Sequence, residues 1–378
     1  MTATGVGIVG AGNISDEYLR SLATYPDIRV VAIADLDVER ARAQAERYEV
    51  EAAPSVAALL ARDDIEIVVN LTIPAAHAEV ALAAIAAGKH VWGEKPLTLE
   101  LAAAQQVLDA AEAAGVVVAN APDTILGEGI QHSQRLLLDG AIGEPRTLLT
   151  LMQGPGPDAW HPRPQFLFAR GAGPLFDIGP YYVSTMIQLL GPIVSVEAIG
   201  QRPRSERVIG SGPDAGTRFP VEVDTHVSVL TRFASGVVGT SVYSFDSPRR
   251  RQAFEITGSE GVLEVPVSGF DGATRILAGD DRDHDWSESA PPGAHRERGV
   301  GVLELARALR EGRPPRASGR LAFHALETML AIEESARSGG PVAVRSSAPV
   351  VEPLPTDWDP TAQTTPAPAG TAPSGGAR

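Results

Sequence analysis

A short apolar strand, a glycine-containing turn, a helix and a second apolar strand follow one another at the start of the chain. The strand Val6-Gly7-Ile8-Val9 leads into the turn, and the helical pattern after it is followed by the strand Val30–Ala34. This order is typical of the βαβ unit that binds dinucleotides, in which helices cover a parallel sheet. It restricts the N-terminal part of the chain to an α/β fold of the Rossmann type.

The turn reads Gly10-Ala11-Gly12-Asn13-Ile14-Ser15. Gly10 would permit the tight turn, and Gly12 would let the backbone approach a pyrophosphate at the helix N-terminus, where unpaired N–H groups favour anions. We therefore predict cofactor contacts from Gly10, Gly12, Asn13 and Ile14. Ser15 replaces the third glycine of the pattern, and its small side chain still allows helix and strand to pack closely. The alternative is a structural β-to-α turn without a ligand.

Asp35 follows the second strand directly. A carboxylate at this place accepts hydrogen bonds from the ribose hydroxyls and repels a 2′-phosphate, so NAD is favoured over NADP. Arg40, nearby in the next helix, would in turn suit a 2′-phosphate, and NADP stays possible. The alternative interpretation of Asp35 is an aspartate that caps a loop.

Two further strands end in residues that carry chemistry. Ile65–Asn70 leads into Leu71-Thr72-Ile73-Pro74 and then His77, and the strand near His90 ends at Glu94-Lys95-Pro96. Ligands of open α/β sheets bind outside the carboxyl ends of the strands. We predict further cofactor contacts there, from Leu71, Thr72, Pro74, His77, Glu94 and Lys95. The alternative for His77 is an exposed histidine in a first helical turn, and for Lys95 a solvated turn.

Pro96 fits the first position of a helix, where its missing N–H is tolerated. A strand over Val116–Val118 continues the alternation of strands and helices, which predicts a parallel sheet.

The pattern changes in the second half of the chain. A helix over Glu128–Leu138 is followed by a series of β-like runs and by two late helices. The runs are Thr147–Met152, Val194–Ile199, His226–Phe233, Val237–Ser244, Ala253–Thr257 and Val262–Val265, and the helices are Gly301–Leu309 and Leu321–Ala336. This predicts an α+β domain on a large open, mostly antiparallel sheet.

We accordingly divide the chain into a Rossmann domain over 1–121, an α+β domain over 122–351 and a tail over 352–378. The tail is rich in Pro, Ala, Thr and Gly. Such a composition cannot bury enough apolar surface to offset chain entropy, and we expect the tail to be disordered.

A second chemistry-bearing segment runs from Gly171 to Tyr182. Pro180 is interpreted as the first residue of a helix, which would place Tyr181 in the first turn, where the helix dipole favours a phenolate. Asp177 lies four residues before Tyr181. The alternatives are an amphipathic aromatic residue at a domain boundary for Tyr181 and a carboxylate at a helix start for Asp177.

Composition excludes several classes of function. The chain contains no cysteine, so disulfides and thiolate chemistry are absent, and its net charge of −15 disfavours nucleic acids and anionic membranes as partners. No run of about 20 apolar residues and no basic leader precede or interrupt the pattern, which predicts a cytoplasmic protein. No histidine–carboxylate spacing indicates a metal site.

The motifs together resemble those of the glucose-fructose oxidoreductase / inositol dehydrogenase / MocA-type oxidoreductase family. The matching stretches are Gly10-x-Gly12, Thr72-x-Pro74-x-x-His77, Ala87–Val91 with Glu94-Lys95-Pro96, and Gly173-x-Leu175-x-Asp177-x-Gly179-x-Tyr181. They cover about residues 5–350. The resemblance implies a Rossmann domain joined to a domain whose open sheet forms homodimers or homotetramers. It also implies oxidation or reduction of a secondary alcohol on a sugar or polyol with NAD or NADP.

By this resemblance Lys95 and Asp177 are catalytic positions, and Tyr181 stands where most members carry histidine. Tyrosine there is similar to the glucose-fructose oxidoreductase and dihydrodiol dehydrogenase branches. Many members have an Asn-Arg pair after the strand at Val118, whereas this chain has Asn120-Ala121.

The resulting hypothesis makes Tyr181 the acid/base, with Lys95 polarising the substrate oxygen and Asp177 orienting substrate or lysine. Trp160 and His161 would line the substrate pocket; a loop histidine without a role is the alternative. Two other functions stay open: reduction of a non-sugar substrate of the dihydrodiol or imine type, and a non-catalytic regulator that senses NAD(P).

Overall fold

A computed structural model describes residues 3–267, 269–279 and 285–364 of the 378-residue chain. The N-terminal part is a parallel sheet with the strand order β3-β2-β1-β4-β5-β6. Its strands are β1 Thr4–Val9, β2 Ile28–Ala34, β3 Glu51–Ala52, β4 Ile67–Asn70, β5 His90–Gly93 and β6 Val118–Asn120. Every residue of β1 and β4 is buried, as expected for strands covered on both faces.

Five helices connect these strands. They are α1 Asn13–Leu22, α2 Val38–Tyr48, α3 Val56–Leu60, α4 His77–Ala86 and α5 Leu101–Ala114. Local sequence fixes several of their ends: the Asp37 side chain caps α2, the Ser55 hydroxyl caps α3, and Gly115 ends α5 with a φ of 66°. The strand order changes direction beside β1, so the loops after β1, β4 and β5 share the ligand-binding edge.

The second part is built on one large sheet with the order β16-β15-β14-β13-β7-β12-β11-β8-β17. Its strands, together with the separate β9–β10 ribbon, are β7 Pro145–Gln153, β8 Ile193–Gln201, β9 Glu206–Val208, β10 Arg218–Pro220, β11 His226–Phe233, β12 Val238–Ser244, β13 Arg251–Gly258, β14 Gly261–Glu264, β15 Thr274–Ala278, β16 Ser287–Ser289 and β17 Val342–Ala343. Among the described pairings of this second sheet, only that of β7 with β12 is parallel. The predicted fold class, a Rossmann domain plus an open and mostly antiparallel sheet, is confirmed.

Within the described residues, four α-helices belong to this second part. They are α6 Glu128–Leu138, α7 Gly173–Leu190, α8 Val300–Glu311 and α9 Gly319–Ser338. Helix α9 packs on β8 and α7 packs on β12, so one face of the sheet is covered. Burial alternates along β11, and the opposite face is open. None of the described helices combines the length and the apolar character needed to cross a bilayer.

The start of α7 differs from the sequence prediction. The helix begins at Gly173, with Pro174 in its first turn, and Pro180 lies inside it. Leu175 and Phe176 are both buried, so core packing extends the helix through a residue that local propensity would place at its start. Tyr181 is therefore about two turns inside the helix. The dipole acts within the first turn only, so it does not support a Tyr181 phenolate.

Pro96 is likewise not the first residue of a helix. Helix α5 begins only at Leu101, and Pro96 lies in the loop between β5 and α5. Its carbonyl oxygen lies 2.6 Å from the Nδ1 atom of His77, so this loop is held by a tertiary contact that precedes the helix.

Residues 352–364 do not form the disordered segment that their composition predicts. Leu354 is fully buried, and the Trp358 ring lies between the guanidinium groups of Arg296 and Arg307, at 5.1 and 4.6 Å from its centre. Arg307 also donates to the Asp359 carbonyl at 2.9 Å. A few anchoring contacts thus order a segment without apolar periodicity. Residues 365–378 lie outside the described residues, and the boundary between 121 and 122 stays a prediction.

Candidate active site

The glycine turn after β1 has the geometry of an anion cradle. Gly10 has a φ of 107°, and a Cβ there would lie 2.7 Å from the Leu71 carbonyl atoms, so only glycine fits. Gly12 is the N-cap of α1, makes no side-chain cap, and has nothing within 4 Å of a would-be Cβ. The first N–H groups of α1, at Asn13 and Ile14, are thus open to a phosphate. These residues fit a dinucleotide.

Asp35 lies beside this turn, at the carboxyl end of β2. Its Oδ2 atom accepts from the Ala11 N–H at 2.6 Å, and its Oδ1 atom accepts from the Asp37 N–H at 2.8 Å. The carboxylate keeps further lone pairs for ribose hydroxyls. Arg40, the residue that would suit a 2′-phosphate, pairs with Asp37 at 3.3 Å.

A pocket of about 750 Å³ opens in front of the turn. Its lining residues are Ala11, Gly12, Asn13, Asp16, Arg40, Ala43, Gln44, His161, Arg163, Gln165 and Phe166. The last four come from the loop between β7 and α7, so the second part of the chain forms one wall of the dinucleotide pocket.

His161 was predicted to line the substrate pocket, and the structure places it in the lining of the pocket before the glycine turn. Arg207 holds the turn that precedes His161, because it donates to Asp158 at 2.8 Å and to the Pro155 carbonyl at 2.9 Å. The loop consequently faces α1 and α2. Trp160 contacts the His161 ring edge-on at 5.5 Å and is 59% exposed, outside the pocket lining.

His77 holds a loop and does not face the pocket. Its side chain is 2% exposed, its Nδ1 atom lies 2.6 Å from the Pro96 carbonyl, and its Nε2 atom lies 3.1 Å from the Thr72 carbonyl. Burial lowers the pKa of His77. The interpretation as an exposed first-turn histidine is therefore wrong, and the cofactor contact of His77 stays a prediction. His77 ties the Leu71–Pro74 loop to the loop that carries Lys95.

Lys95, Asp177 and Tyr181 meet between the two parts of the chain. The Lys95 Nζ atom donates to the Asp177 carbonyl at 2.6 Å and to its Oδ1 atom at 3.1 Å, and it lies 5.2 Å from the centre of the Tyr181 ring. Asp177 and Tyr181 are one helical turn apart on α7 and so share a face. The structure brings the three predicted catalytic residues together.

Lys95 is strongly held in its charged form. Burial by itself would lower its pKa, but the Asp177 carboxylate, with contributions from Tyr181 and Glu94, raises the pKa above the ordinary lysine value. The ammonium group is therefore a permanent positive charge at neutral pH, directed at Asp177 and at the tyrosine ring.

Glu94, which directly follows β5, supports the position of Lys95 from the side of the parallel sheet. Its Oε1 atom accepts from the Tyr18 hydroxyl at 2.8 Å, and its Oε2 atom accepts from the Lys95 N–H at 3.0 Å. Tyr18 in turn accepts from the Trp92 Nε1 at 3.0 Å. Glu94 was predicted as a cofactor contact, but its oxygens are engaged by the protein. Through the Oε2 contact Glu94 holds the backbone N–H of Lys95, and its cofactor contact stays a prediction.

Two charged residues near this network escaped the sequence analysis. The Arg298 Nη1 atom lies 3.6 Å from Glu94 Oε1 and 3.7 Å from Asp123 Oδ1. Asp123 is fully buried, and this burial, only partly offset by Arg298, raises its pKa to about 6. Asp123 follows β6, and its position after a strand end is the pattern that could have indicated a site residue. Arg298 is distant in sequence and had none.

A second pocket of about 370 Å³ lies beside the Lys95–Asp177 pair. Most of its lining is apolar: Ile73, Pro74, Ala75, Pro96, Leu99, Phe166, Leu167, Ala169, Ala172 and Phe176, with Arg170 and Gly171 completing it. Phe166 lines this pocket and the dinucleotide pocket, so the two adjoin.

Comparison with known proteins agrees with this geometry. Residues 4–121 match the sequence model of the oxidoreductase family with an NAD-binding Rossmann fold, and residues 130–264 match the GFO/IDH/MocA C-terminal domain. A dTDP-3,4-didehydro-2,6-dideoxy-alpha-D-glucose 3-reductase of Streptomyces antibioticus is 32% identical over 270 residues, which are 68% of this chain and 74% of the relative. The chain belongs to the GFO/IDH/MocA oxidoreductase family.

Other members of the family are similar over most of the chain. The trans-1,2-dihydrobenzene-1,2-diol dehydrogenase of Bos taurus is 24% identical, over 81% of this chain and 87% of the relative. An NAD-binding oxidoreductase from Klebsiella pneumoniae, of known structure, is 26% identical with a TM-score of 0.79, covering 91% of this chain and all of that chain. A levoglucosan dehydrogenase in complex with NADH and L-sorbose has the same fold, with a TM-score of 0.80 at 23% identity, over 92% of this chain and 100% of that chain.

These findings confirm three predictions. The resemblance to the GFO/IDH/MocA family, the class of NAD-binding oxidoreductase and NAD as the cofactor are all borne out. The oxidoreductase assignment also disfavours the non-catalytic regulator.

Proposed function

We propose that this GFO/IDH/MocA oxidoreductase transfers a hydride between NAD and a secondary alcohol or ketone of a sugar-like substrate, with Tyr181 as the acid/base. The observation that carries the proposal is the contact of Lys95 with Asp177 at a pocket that adjoins the dinucleotide pocket, with the Tyr181 ring 5.2 Å from the Lys95 Nζ atom. Hydride transfer at a carbinol carbon must be matched by movement of the hydroxyl proton, and these are the groups able to manage it.

Each residue has a distinct task in this proposal. Bound NAD supplies the hydride acceptor, and its reduced form the donor. Tyr181 takes the hydroxyl proton in oxidation and returns it in reduction. The Lys95 ammonium stabilises negative charge on the substrate oxygen and on the Tyr181 oxygen. Asp177 fixes the ammonium through two hydrogen bonds, so that little reorganisation is needed when charge develops.

The apolar lining beside Lys95 bears on the substrate class. A fully hydroxylated sugar would leave hydroxyls unpaired against Ile73, Leu99 and Phe176, which costs free energy. A deoxygenated sugar or a ring with one apolar face fits better. Two relatives, by name, act on a dideoxy nucleotide sugar and on a dihydrodiol. We therefore favour a deoxy-sugar substrate, and a dihydrodiol-type substrate is the second candidate.

A substrate panel with NAD and NADP tests the function. The panel contains dTDP-deoxy sugars, their fully hydroxylated counterparts, levoglucosan and trans-dihydrodiols, followed by absorbance of the reduced nicotinamide. We expect turnover with NAD and a higher kcat/KM for the deoxygenated member of each pair. Binding of NADH, seen by fluorescence, without turnover of any compound would contradict the proposal and favour the regulator.

The open face of the large sheet supports self-association. Leu230 and Ile199 are 56% and 76% exposed on it, and Leu149, Val194 and Val238 are also exposed. We propose that a second copy of the chain covers this face in a homodimer or homotetramer. Light scattering of the wild type and of Leu230→Lys tests this: a monomeric wild type would contradict it, and a dissociated variant would support it.

A further inference from the structure

An arginine lies in the wall that the second part of the chain contributes to the dinucleotide pocket. Arg163 lines this pocket together with Gly12 and Asn13, where the first N–H groups of α1 are open to an anion. The arginine and the helix N-terminus thus border the same cavity of about 750 Å³, although they belong to different parts of the chain. The cavity therefore has a positively charged group on each of two sides.

Arg163 is the arginine of this lining without a counterion. Its guanidinium group makes no hydrogen bond or ion pair within the part of the chain that the structure describes. The other arginine of the lining, Arg40, pairs with Asp37 at 3.3 Å. The carboxylate of the lining, Asp16, pairs with Arg47 at 2.8 Å. The uncompensated charge of Arg163 consequently favours an anion in this pocket.

The segment that carries Arg163 is anchored at both of its ends. The buried Arg207 donates to Asp158 Oδ1 at 2.8 Å, and the Gly210 N–H donates to the Asp158 carbonyl at 2.8 Å. At the other end, Phe168 is fully buried, and its ring centre lies 4.9 Å from the Arg207 guanidinium carbon. An anchored segment loses little chain entropy when its side chains bind a ligand.

Contacts inside the segment fix the bend at Arg163. The Arg163 N–H donates to His161 Nδ1 at 3.0 Å. The His161 ring contacts Trp160 and Phe166 edge-on, with 5.5 and 5.4 Å between ring centres. Three packed rings and one hydrogen bond therefore determine where the Arg163 side chain leaves the backbone.

We infer that Arg163 binds the pyrophosphate of NAD, across the pocket from the first N–H groups of α1. A guanidinium group forms paired hydrogen bonds with phosphate oxygens, and the helix N-terminus supplies the donors on the other side. The dinucleotide is then held between the two parts of the chain and not by the Rossmann domain alone. The inference concerns cofactor binding and does not depend on the hydride transfer proposed above.

Fluorescence titrations of NADH test this contact. We expect Arg163→Gln to raise the Kd for NADH about 10-fold, because a charged hydrogen bond to phosphate is lost. Arg163→Lys should recover part of the affinity, since it keeps the charge but not the paired geometry. Added salt should weaken NADH binding less in Arg163→Gln than in the wild type. Arg218→Gln is the matched control, because Arg218 also belongs to the second part, is 72% exposed and pairs with Glu206.

Competition against NADH identifies the group that Arg163 contacts. NADPH and ADP-ribose both contain the pyrophosphate, so Arg163→Gln should weaken them by the same factor as NADH. Adenosine lacks the pyrophosphate and should bind the variant and the wild type equally. A loss confined to NADPH would instead place Arg163 at the 2′-phosphate and would overturn the inference.

Three further results contradict the inference. They are an unchanged NADH affinity in Arg163→Gln, an equal loss in Arg218→Gln, which indicates an effect of net charge, and a parallel loss for adenosine, which indicates a distorted pocket. Arg163 is exposed, so the variant should melt like the wild type. Failure of the proposed function is a different result: wild-type turnover in Tyr181→Phe removes the acid/base role and leaves the binding titrations of Arg163→Gln as they are.

Discussion

Lys95 and Asp177, which lie far apart in the sequence, form a two-point contact: the Nζ atom donates to the Asp177 carbonyl at 2.6 Å and to its carboxylate at 3.1 Å. The backbone contact fixes the lysine in place, and the carboxylate contact keeps it charged. The pair joins the β5 loop to α7 and so couples the two parts of the chain at the candidate active site.

Asp177→Asn separates these two effects. The amide keeps the shape of the side chain but removes the charge that opposes burial, so the pKa of Lys95 should fall. The raised pKa of Lys95 means that its charged form stabilises the folded protein at pH values below the unfolded pKa. This stabilisation is lost as the pH rises through the folded pKa. Because the pKa of Lys95 falls in this variant, the alkaline limb of kcat should move to lower pH. Asp109→Asn, on the surface of α5, should leave the limb in place; an unmoved limb in both variants would remove Asp177 from this role.

Gly12→Ala and Gly10→Ala should separate cofactor binding from folding. A Cβ on Gly12 meets nothing within 4 Å, so this variant should unfold like the wild type while its methyl group obstructs the pyrophosphate. A Cβ on Gly10 would meet the Leu71 carbonyl at 2.7 Å, so Gly10→Ala should also lower the free energy of unfolding. Thermal melts and NADH fluorescence titrations measure both quantities. Full NADH affinity in Gly12→Ala would be inconsistent with a dinucleotide at this turn.

Asp35→Ser should change cofactor preference. The substitution removes a charged acceptor for ribose hydroxyls and a repulsive charge opposite a 2′-phosphate. Hydrogen bonds to charged groups contribute about 1.5–3 kcal/mol, so NADH affinity should fall on the order of 10–100-fold while NADPH affinity rises. The control is Glu39→Ser, which removes a carboxylate paired with Arg42 on the same helix as Arg40. Equal weakening of both cofactors in Asp35→Ser would indicate a purely structural role through the Ala11 contact.

Asp123 should make stability depend on pH. Its pKa of about 6 in the folded protein exceeds the ordinary value of about 3.9, so the folded state binds more protons between these values and stability falls as pH rises through this window. Asp123→Asn should remove up to about 3 kcal/mol of this dependence. Urea unfolding of both proteins between pH 4 and about 7 measures the difference. Exposed Asp139→Asn is the control, and parallel curves for wild type and Asp123→Asn would refute the buried-carboxyl account.

Local sequence pattern was sufficient to predict much of the fold and to indicate the central residues of the candidate site. The glycine turn, Asp35 and the Lys95 strand end lie in short segments whose spacing alone indicates their chemistry. Local propensity failed where tertiary packing decides. Pro180 lies inside a helix because Leu175 and Phe176 are buried before it, and Trp358 orders a segment of low apolar content by packing between two arginines.

Sequence pattern could not predict the contacts of residues whose partners are distant in the chain. His77 and Glu94 were placed at the cofactor, but both are buried and engaged by protein atoms. Arg298 gave no signal at all, because its partners Glu94 and Asp123 come from other elements of the fold. A single sequence does not show which strand ends and loops come together in the folded protein.

The adjacent tyrosines of α7 offer the most direct measurement of the central claim. Tyr181 faces Lys95, whereas the Tyr182 hydroxyl donates to the Leu151 carbonyl at 3.2 Å on the sheet side. We expect Tyr181→Phe to lower kcat by about 10²–10⁴-fold with its NADH affinity preserved, because only proton transfer is lost. Tyr182→Phe should keep its turnover and lose about 1 kcal/mol of stability. Turnover of Tyr181→Phe at the level of Tyr182→Phe would contradict the account.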